Sequence, residues 1–284
     1  MLLRNLAGSC MLKFLGAVAS LAWLEWMGTF PKKGSAVLVL TALAAPLAAQ
    51  PQPDLLTPPC RAPETDIASP GPLAQVAAVL QRKTTVRVLA IGSSSTVGIG
   101  ASSQRTTYPA QFEEILERSL KGIDLEVINR GVSGEIAATT AERLKADVEA
   151  LKPDLVLWQV GTNDAIRRVP VPEFEATVRN TVRWLKDGRA DVVLVGLQYT
   201  PRLARDEQYG EIRLAIQRVA ASENVLLVRR FDAMQFIART KINLDMLSGD
   251  QFHLNDLGYH CMAEHVAQAM VTNLFLRRGP PPPP

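Results

Sequence analysis

Histidine and cysteine are scarce in this sequence, with three of each among 284 residues. Any acid–base chemistry that relies on imidazole must therefore use His253, His260 or His265. His260 and His265 are five residues apart, so they do not share one helix face as residues at a four-residue spacing would. We expect these two to serve packing or the helix surface, and we expect no metal site.

The sequence also lacks the marks of nucleic-acid and nucleotide binding. The net charge is only +3 and no basic patch alternates with aromatic residues, which argues against nucleic acid as a partner. No lysine follows the Gly/Ser-rich turn at 92–98 as it would in a phosphate loop, and Gly98-Ile99-Gly100 lacks the third glycine of a dinucleotide fingerprint. We therefore expect no organic cofactor.

Long apolar runs are missing, and the N-terminal region has only short ones. Lys32-Lys33 precede an apolar run at 36–45, and the small residues Ala48-Ala49 follow it. A basic segment, a short apolar run and small residues are typical of a secretory signal peptide, whereas a membrane span needs about 20 apolar residues. We expect residues 1–50 to target the chain to the periplasm or outside the cell. The alternative is a retained anchor; after cleavage near Ala49 no stable anchor is expected.

Cysteine usage is consistent with export. Cys10 would leave with the targeting region, and Cys60 and Cys261 would remain. Two thiols in an oxidising compartment can form a disulfide, so we predict this pair. The alternative is that both are small apolar residues.

The remaining chain alternates strand and helix signals. Strands that read as continuous apolar runs are buried on both faces, which is typical of a parallel sheet covered by helices. The pattern predicts a three-layer αβα sandwich with a five-stranded parallel sheet. The strand signals cover 86–91, 125–128, 154–160, 191–197 and 225–228, and the helical signals cover 108–121, 139–151, 172–186, 205–222 and 254–276.

Composition suggests where this domain begins and ends. Residues 51–84 are rich in proline and alanine and are predicted to be a linker and lead-in. The α/β pattern occupies 85–278. The proline run at 279–284 predicts a disordered tail with polyproline II character.

Small polar residues and glycines follow the first three predicted strands. They form three loops, at 92–98, 129–135 and 161–164. The carboxyl ends of parallel strands meet at one edge of a sheet, which is where ligands bind in such folds. These loops are therefore the expected location of the functional site. Gln198, Tyr199 and Thr200 follow the fourth strand and could line a pocket at the same edge.

A carboxylate lies three residues before one histidine, in the segment Asp250-Gln251-Phe252-His253. A short turn at this spacing can aim Asp250 at the imidazole of His253, which orients the ring as a Ser-His-Asp triad requires. The alternative is a helix-capping loop in which both residues are merely polar. A nucleophile elbow of the Gly-x-Ser-x-Gly type is disfavoured, because Thr96 stands where the last glycine would be.

These three loops and the late Asp-x-x-His, in this order, resemble the SGNH (GDSL-type) hydrolase family. The resemblance runs from about Val86 to the final helix and implies a flavodoxin-like fold. It implies Ser94 as the nucleophile, with Asp250 and His253 completing the triad. It also implies an oxyanion hole made by the N–H of Ser94, the N–H of Gly134 and the side-chain amide of Asn163. Ser93 stands where the family usually has aspartate, which puts the rigidity and charge of that loop in question.

The resemblance implies an exported serine esterase, with a small-molecule or saccharide ester as its partner. Short acyl groups on carbohydrate are the substrates we expect. Two alternatives remain open: an acyltransferase in which a sugar hydroxyl replaces water, and a non-catalytic carbohydrate-binding module built on the same fold.

Overall fold

The computed structural model describes residues 54–82, 84–120, 122–241 and 244–276. The predicted targeting region and the proline tail lie outside the described residues. A single mixed sheet runs through the part that is described, with helices on both of its faces.

The sheet has six strands in the spatial order β1-β6-β5-β4-β2-β3. The neighbours from β6 to β3 pair in parallel, and β1 pairs antiparallel with β6. The strands are β1 (Ala68–Ser69), β2 (Val86–Gly92), β3 (Leu125–Gly131), β4 (Leu155–Gln159), β5 (Asp191–Val195) and β6 (Leu226–Val228).

Ten α-helices lie within the described ranges. They are α1 (Glu64–Ile67), α2 (Ala74–Arg82), α3 (Ser94–Val97), α4 (Tyr108–Ser119), α5 (Ala137–Leu151), α6 (Thr162–Ile166), α7 (Val171–Asp187), α8 (Glu207–Glu223), α9 (Arg230–Thr240) and α10 (Asp256–Val271). A π-helical turn, Thr272–Leu276, extends α10. None of these helices combines the length and the apolarity that crossing a membrane would require.

Local chemistry explains where two of the long helices begin. Asp206 precedes α8 and accepts a hydrogen bond from the N–H of Tyr209, and Asn255 precedes α10 and accepts one from the N–H of Gly258. A side-chain oxygen at this position satisfies an N–H that has no partner inside the helix. Asn224, in the left-handed conformation, ends α8.

Two apolar cores, one on each face, hold the layers together. Val88 and Ala90 of β2 belong to the core that includes α2, α4 and α10, whereas Leu89 and Ile91 belong to the core that includes α5, α7 and α8. All four side chains are fully buried, as expected for a strand covered on both faces. The predicted αβα sandwich and its five parallel strands are confirmed.

The sheet differs from the prediction at one edge, because it has a sixth strand rather than five in all. Ala68 pairs with Val228 and Ser69 with Leu227, antiparallel. This strand has only two residues and Pro70 follows it, so it carries no alternating pattern that could be recognised in the sequence. A very short strand at a sheet edge is also a common way of leaving few unpaired backbone groups exposed.

The strand register brings the polar loops to one edge. Gly92 at the end of β2 pairs with Gly131 at the end of β3, and Ile91 pairs with Trp158 near the end of β4. Since these strands are parallel and end at nearly the same level, the loops that follow them lie side by side.

Candidate active site

Ser94 lies two residues beyond the end of β2, as the first residue of the short helix α3. The turn that leads to it requires glycine at position 92, where φ is +153° and a Cβ atom would lie 2.6 Å from the carbonyl oxygen of Gln159. Gly98 ends the helix in the left-handed conformation. These two glycines confine α3 to a single turn that presents Ser94, half-buried, at the sheet edge.

Ser94, His253 and Asp250 form a continuous hydrogen-bonded line. His253 Nε2 lies 3.1 Å from Ser94 Oγ, and His253 Nδ1 lies 2.5 Å from Asp250 Oδ2. With the Nδ1 proton directed at the carboxylate, Nε2 is left as an acceptor for the serine hydroxyl. The structure thus brings together three residues that the sequence separates by up to 159 positions.

The Asp250 carboxylate is held in place by the turn that carries it. Its Oδ1 accepts hydrogen bonds from the backbone N–H groups of Phe252 and His253, both at 2.9 Å, and from the hydroxyl of Ser248 at 2.7 Å. The hydrogen bond to His253 is the main reason that the pKa of Asp250 lies far below its usual range, and the Ser248 and backbone donors add to the effect. Asp250 is therefore ionised in the folded protein at neutral pH.

A hydrogen bond connects the segment after β3, which contains Gly134, to Asn163 in the segment after β4. Asn163 donates one amide hydrogen to the carbonyl oxygen of Glu135, the neighbour of Gly134, at 2.8 Å. A side-chain amide has two such hydrogens, so one remains available. Within the described residues, no backbone carbonyl accepts a hydrogen bond from the N–H of Ser94 or of Gly134.

Gln159 supports the loop in which aspartate was expected and Ser93 is found. Its Oε1 accepts hydrogen bonds from the N–H and the hydroxyl of Ser93, both at 3.0 Å, and lies 3.4 Å from the Thr96 hydroxyl. All three side chains are buried. Hydrogen bonds between neutral groups, with Gln159 of β4 as the acceptor, thus hold the loop in place.

A second buried network lies behind Ser94 and could not be predicted from the sequence. Arg230 donates to Ser95 Oγ and to Gln198 Oε1, and Gln198 donates to the carbonyl oxygen of Phe252. Gln198 had been expected to line the pocket, but it is 1% exposed and joins two loops instead. Nothing local marks Arg230, since it stands in an ordinary polar pair, Arg229-Arg230.

A cavity of about 570 Å³ opens beside the Asp250 loop. Its walls combine apolar and polar side chains, among them Ile166, Thr200, Arg202, Leu247 and Phe252. Thr200 belongs to the segment that the sequence suggested for the pocket. Tyr199 instead packs edge-on against Phe231, with ring centroids 5.3 Å apart.

The other two histidines have structural partners. His265 is 2% exposed and its Nε2 lies 2.7 Å from the carbonyl oxygen of Cys60, and burial lowers its pKa. His260 lies between Gln111 and Glu264, at 2.7 and 2.9 Å. Among the residues of ranges 54–82, 84–120, 122–241 and 244–276, no cluster of three or more His, Cys, Asp or Glu side chains could hold a metal ion.

Cys60 and Cys261 form a disulfide, with Cα atoms 4.9 Å apart. Both are buried, and the bond joins the 3₁₀ turn Pro58–Cys60 to helix α10. The pairing predicted from the sequence is thus present in the structure.

Comparison of the sequence with known proteins finds similarity to a lipase-like family and to esterases. The sequence profile of the Non-GDSL lipase-like family matches residues 59–274. The chain is 24% identical to an arylesterase of Vibrio mimicus over 66% of this chain and 90% of that protein. It is 26% identical to an acetylxylan esterase of Geobacillus stearothermophilus over 56% of this chain and 78% of that protein.

Solved structures share the fold. A two-domain esterase active on acetylated mannans superposes with a TM-score of 0.65 at 20% identity, over 79% of this chain and 60% of that one. The present chain therefore spans less than two thirds of that larger protein. The structure of TesA superposes with a TM-score of 0.57 at 23% identity, over 65% of this chain and 97% of that one.

Proposed function

This chain belongs to the Non-GDSL lipase-like family, and from that premise we propose that it is a serine ester hydrolase with Ser94 as nucleophile, His253 as base and Asp250 as the acid that orients the base. The single observation that carries the proposal is the line of contacts from Ser94 Oγ through His253 to Asp250 at the carboxyl edge of the sheet. The esterase relatives support the same class of reaction.

The reaction begins with attack by Ser94 on the ester carbonyl. A serine hydroxyl is a weak nucleophile until a base removes its proton, and His253 Nε2 is 3.1 Å away to accept it. The imidazolium that forms is stabilised by ionised Asp250 on the other ring nitrogen. The C–O bond to the alcohol then breaks, and the alcohol leaves with the proton from His253. Water repeats the sequence on the acyl-enzyme and releases the acid.

Negative charge develops on the carbonyl oxygen during each attack. We assign its stabilisation to the N–H of Ser94, the N–H of Gly134 and the amide of Asn163. The free backbone N–H groups and the tie between Asn163 and the Gly134 loop support this assignment. Loss of one such donor typically costs about 3–4 kcal/mol of transition-state stabilisation.

Short acyl groups on a carbohydrate are the substrates we propose. A relative named acetylxylan esterase and a structural neighbour active on acetylated mannans support this choice, as does a cavity with both polar and apolar walls beside Asp250. The same machinery would transfer an acyl group if a sugar hydroxyl entered in place of water. The intact Ser-His-Asp line favours either reaction over a non-catalytic binding module.

We also propose that the chain works in the periplasm or outside the cell. The disulfide between Cys60 and Cys261 supports an oxidising compartment. The targeting pattern at 1–50 supports the same proposal from the sequence.

Replacement of the nucleophile tests the proposed function. Ser94→Ala should lower the turnover of p-nitrophenyl acetate by at least about 10⁴-fold with unchanged circular dichroism, because the covalent route is lost. Ser103→Ala, in an exposed part of the same loop region, is the control and should keep parental turnover. A fluorophosphonate probe should label Ser94.

Labelling of another serine, or a Ser94→Ala enzyme that retains parental turnover, would refute the assignment. The same assay with longer acyl chains and with a sugar acceptor separates the alternatives. A preference for acetyl esters supports the proposed substrate, and acylated sugar in place of free acid indicates a transferase.

A further inference from the structure

Arg230 is a buried cation that has no acidic partner in the part of the chain that the structure describes. It is the first residue of α9 and is 1% exposed. Its guanidinium donates to Ser95 Oγ at 3.2 Å from both terminal nitrogens and to Gln198 Oε1 at 2.9 Å. Within the described residues Arg230 takes part in none of the salt bridges, and its Nε–H has no acceptor.

The groups that surround this guanidinium are neutral. Three buried phenols interact with it electrostatically, those of Tyr108, Tyr209 and Tyr259. Burial raises the pKa of Tyr108 and of Tyr259 to about 12 and that of Tyr209 further, so none of them carries a compensating negative charge at neutral pH. Desolvation lowers the pKa of Arg230 itself.

Such an arrangement is costly for the folded state. Removing a cation from water without a paired anion carries a large desolvation penalty, and replacing buried charges by apolar side chains of similar volume is often neutral or stabilising. An apolar side chain at position 230 would avoid that penalty. Structural features that are costly to stability are concentrated at functional sites.

The contacts of Arg230 connect the two halves of the candidate site. Ser95 directly follows the nucleophile Ser94 in helix α3. Gln198 Nε2 donates a hydrogen bond of 2.9 Å to the carbonyl oxygen of Phe252, and Phe252 directly precedes His253. One rigid, planar group therefore joins the backbone that carries the nucleophile to the backbone that carries the base.

We propose that Arg230 is a positioning residue for the reaction, which fixes the separation of Ser94 and His253 through Ser95 on one side and Gln198 on the other. This inference rests on the proposed function of Ser94 and His253. Guanidinium suits the role because its donors are held in a fixed plane, whereas a lysine ammonium would reach one of the two acceptors at a time. A misplacement of catalytic groups by about 1 Å can cost about a hundredfold in rate.

The test compares Arg230→Met and Arg230→Lys with a matched control, Arg229→Met. Arg229 is the adjacent residue and pairs with Asp232 and the carbonyl oxygen of Thr65, away from Ser94. For each variant we would measure kcat and KM with p-nitrophenyl acetate, the rate of fluorophosphonate labelling of Ser94, and Tm. In Arg230→Met, kcat and the labelling rate should fall by about a hundredfold, with KM little changed.

The Tm of Arg230→Met should be equal to or above that of the parent, since the buried charge is gone. Arg230→Lys should recover part of the lost kcat, and the control should keep parental kcat. A change in activity opposite to the change in stability is a result that a purely structural role does not give. A folded Arg230→Met with parental kcat, or a loss of activity that follows only a loss of folded protein, overturns the proposal.

Ser95→Ala is a second variant that removes one acceptor of Arg230 without adding volume. It should lower kcat by about tenfold, since one of two anchors remains. If Arg230→Met does not fold, parental kcat in both Ser95→Ala and Arg230→Lys overturns the proposal, and lowered kcat in both supports it. A parent that neither turns over esters nor reacts at Ser94 overturns the proposed function and this inference together, whereas an active parent with active variants overturns this inference alone.

Discussion

Asp164 shows how a single buried carboxylate makes stability depend on pH. It is 1% exposed, its Oδ1 accepts a hydrogen bond from the N–H of Ala137 at 2.8 Å, and its Oδ2 has no partner within the described residues. Burial is the main cause that raises the pKa of Asp164 to about 6, against the opposing effect of backbone N–H groups. The folded state therefore holds this proton more tightly than the unfolded chain does.

Asp164→Asn should remove this pH dependence. In the parent, the free energy of unfolding should fall as pH rises from about 4 to about 6, because the folded protein loses a proton that the unfolded chain has already released. The loss should be up to about 3 kcal/mol, at about 1.4 kcal/mol for each pH unit between the two pKa values. Asparagine keeps an acceptor for the N–H of Ala137 and carries no charge. The free energy of unfolding of the variant should therefore not fall over this pH range.

Urea unfolding at several pH values between 4 and 7 measures this difference. Asp187→Asn, at the exposed end of α7, is the control and should follow the parent. Curves for the parent and for Asp164→Asn that run parallel across this range would contradict the argument.

Contacts between residues that are close along the chain could be predicted from the sequence, whereas contacts between residues that folding brings together could not. The contact between Asp250 and His253 could be predicted from their spacing, and the position of Ser94 at the sheet edge from the strand that precedes it. The role of Ser94 as nucleophile comes from the resemblance to the SGNH family and stays a prediction. Arg230 and Gln159 could not be predicted, because their partners come from other strands and helices. A lone Arg or Gln carries no signal for such contacts.

Helix α2 is an element whose start depends on a distant strand. Leu73, which precedes it, has no side-chain oxygen to cap the helix. Asp191, the first residue of β5, accepts a hydrogen bond from the N–H of Val76 at 2.9 Å and takes over that function. The strand thus fixes the position at which the helix begins.

Asp191→Ala should loosen α2 with little effect on the other helices. Loss of a capping acceptor typically costs about 0.5–2 kcal/mol, and we expect a loss of stability in that range. Amide hydrogens of residues 74–82 should exchange faster than in the parent. Asp187→Ala, which replaces an exposed aspartate at the end of α7, should leave this exchange unchanged. Equal exchange in both variants would show that Asp191 does not cap α2.

There are identifiable physical reasons why some strands and helices could not be predicted from the sequence. β1 has two residues, too few for any period, and α2 lies in a segment whose prolines and alanines suggest a linker. Helix α9 begins directly after Arg229, which makes no side-chain cap. The five long helices were predictable because each has an extended apolar periodicity, and their ends differ from the prediction by a few residues.

The disulfide acts on the molecule as a whole. It closes a loop with a sequence separation of 201 residues, and closing so long a loop removes much of the freedom of the unfolded chain. Cys60→Ser combined with Cys261→Ser should lower the free energy of unfolding by about 2–5 kcal/mol. Turnover at 25 °C should persist, since neither cysteine takes part in the hydrogen bonds of Ser94, His253 and Asp250.

Urea unfolding of the oxidised parent, the reduced parent and the double variant checks this prediction. The reduced parent should match the variant, and alkylation of the native protein should find neither Cys60 nor Cys261 free. Two reactive thiols at these positions in protein isolated from its native compartment would also contradict the proposed localisation.

The bond between Cys60 and Cys261 is one of several links between early and late parts of the chain. Leu55 donates to Gln268 and Gly71 to Asn273, and β1 pairs with β6. As the ribosome produces the chain from its N-terminus, β1 cannot pair until β6 has been made, and Leu55, Cys60 and Gly71 cannot reach these late partners until α10 and the turn that follows it have been made. Contacts so distant in sequence form slowly, because the entropy of closing the loop must be overcome first. We therefore expect the segment at 54–71, although it is made early, to join the sheet and α10 late in folding.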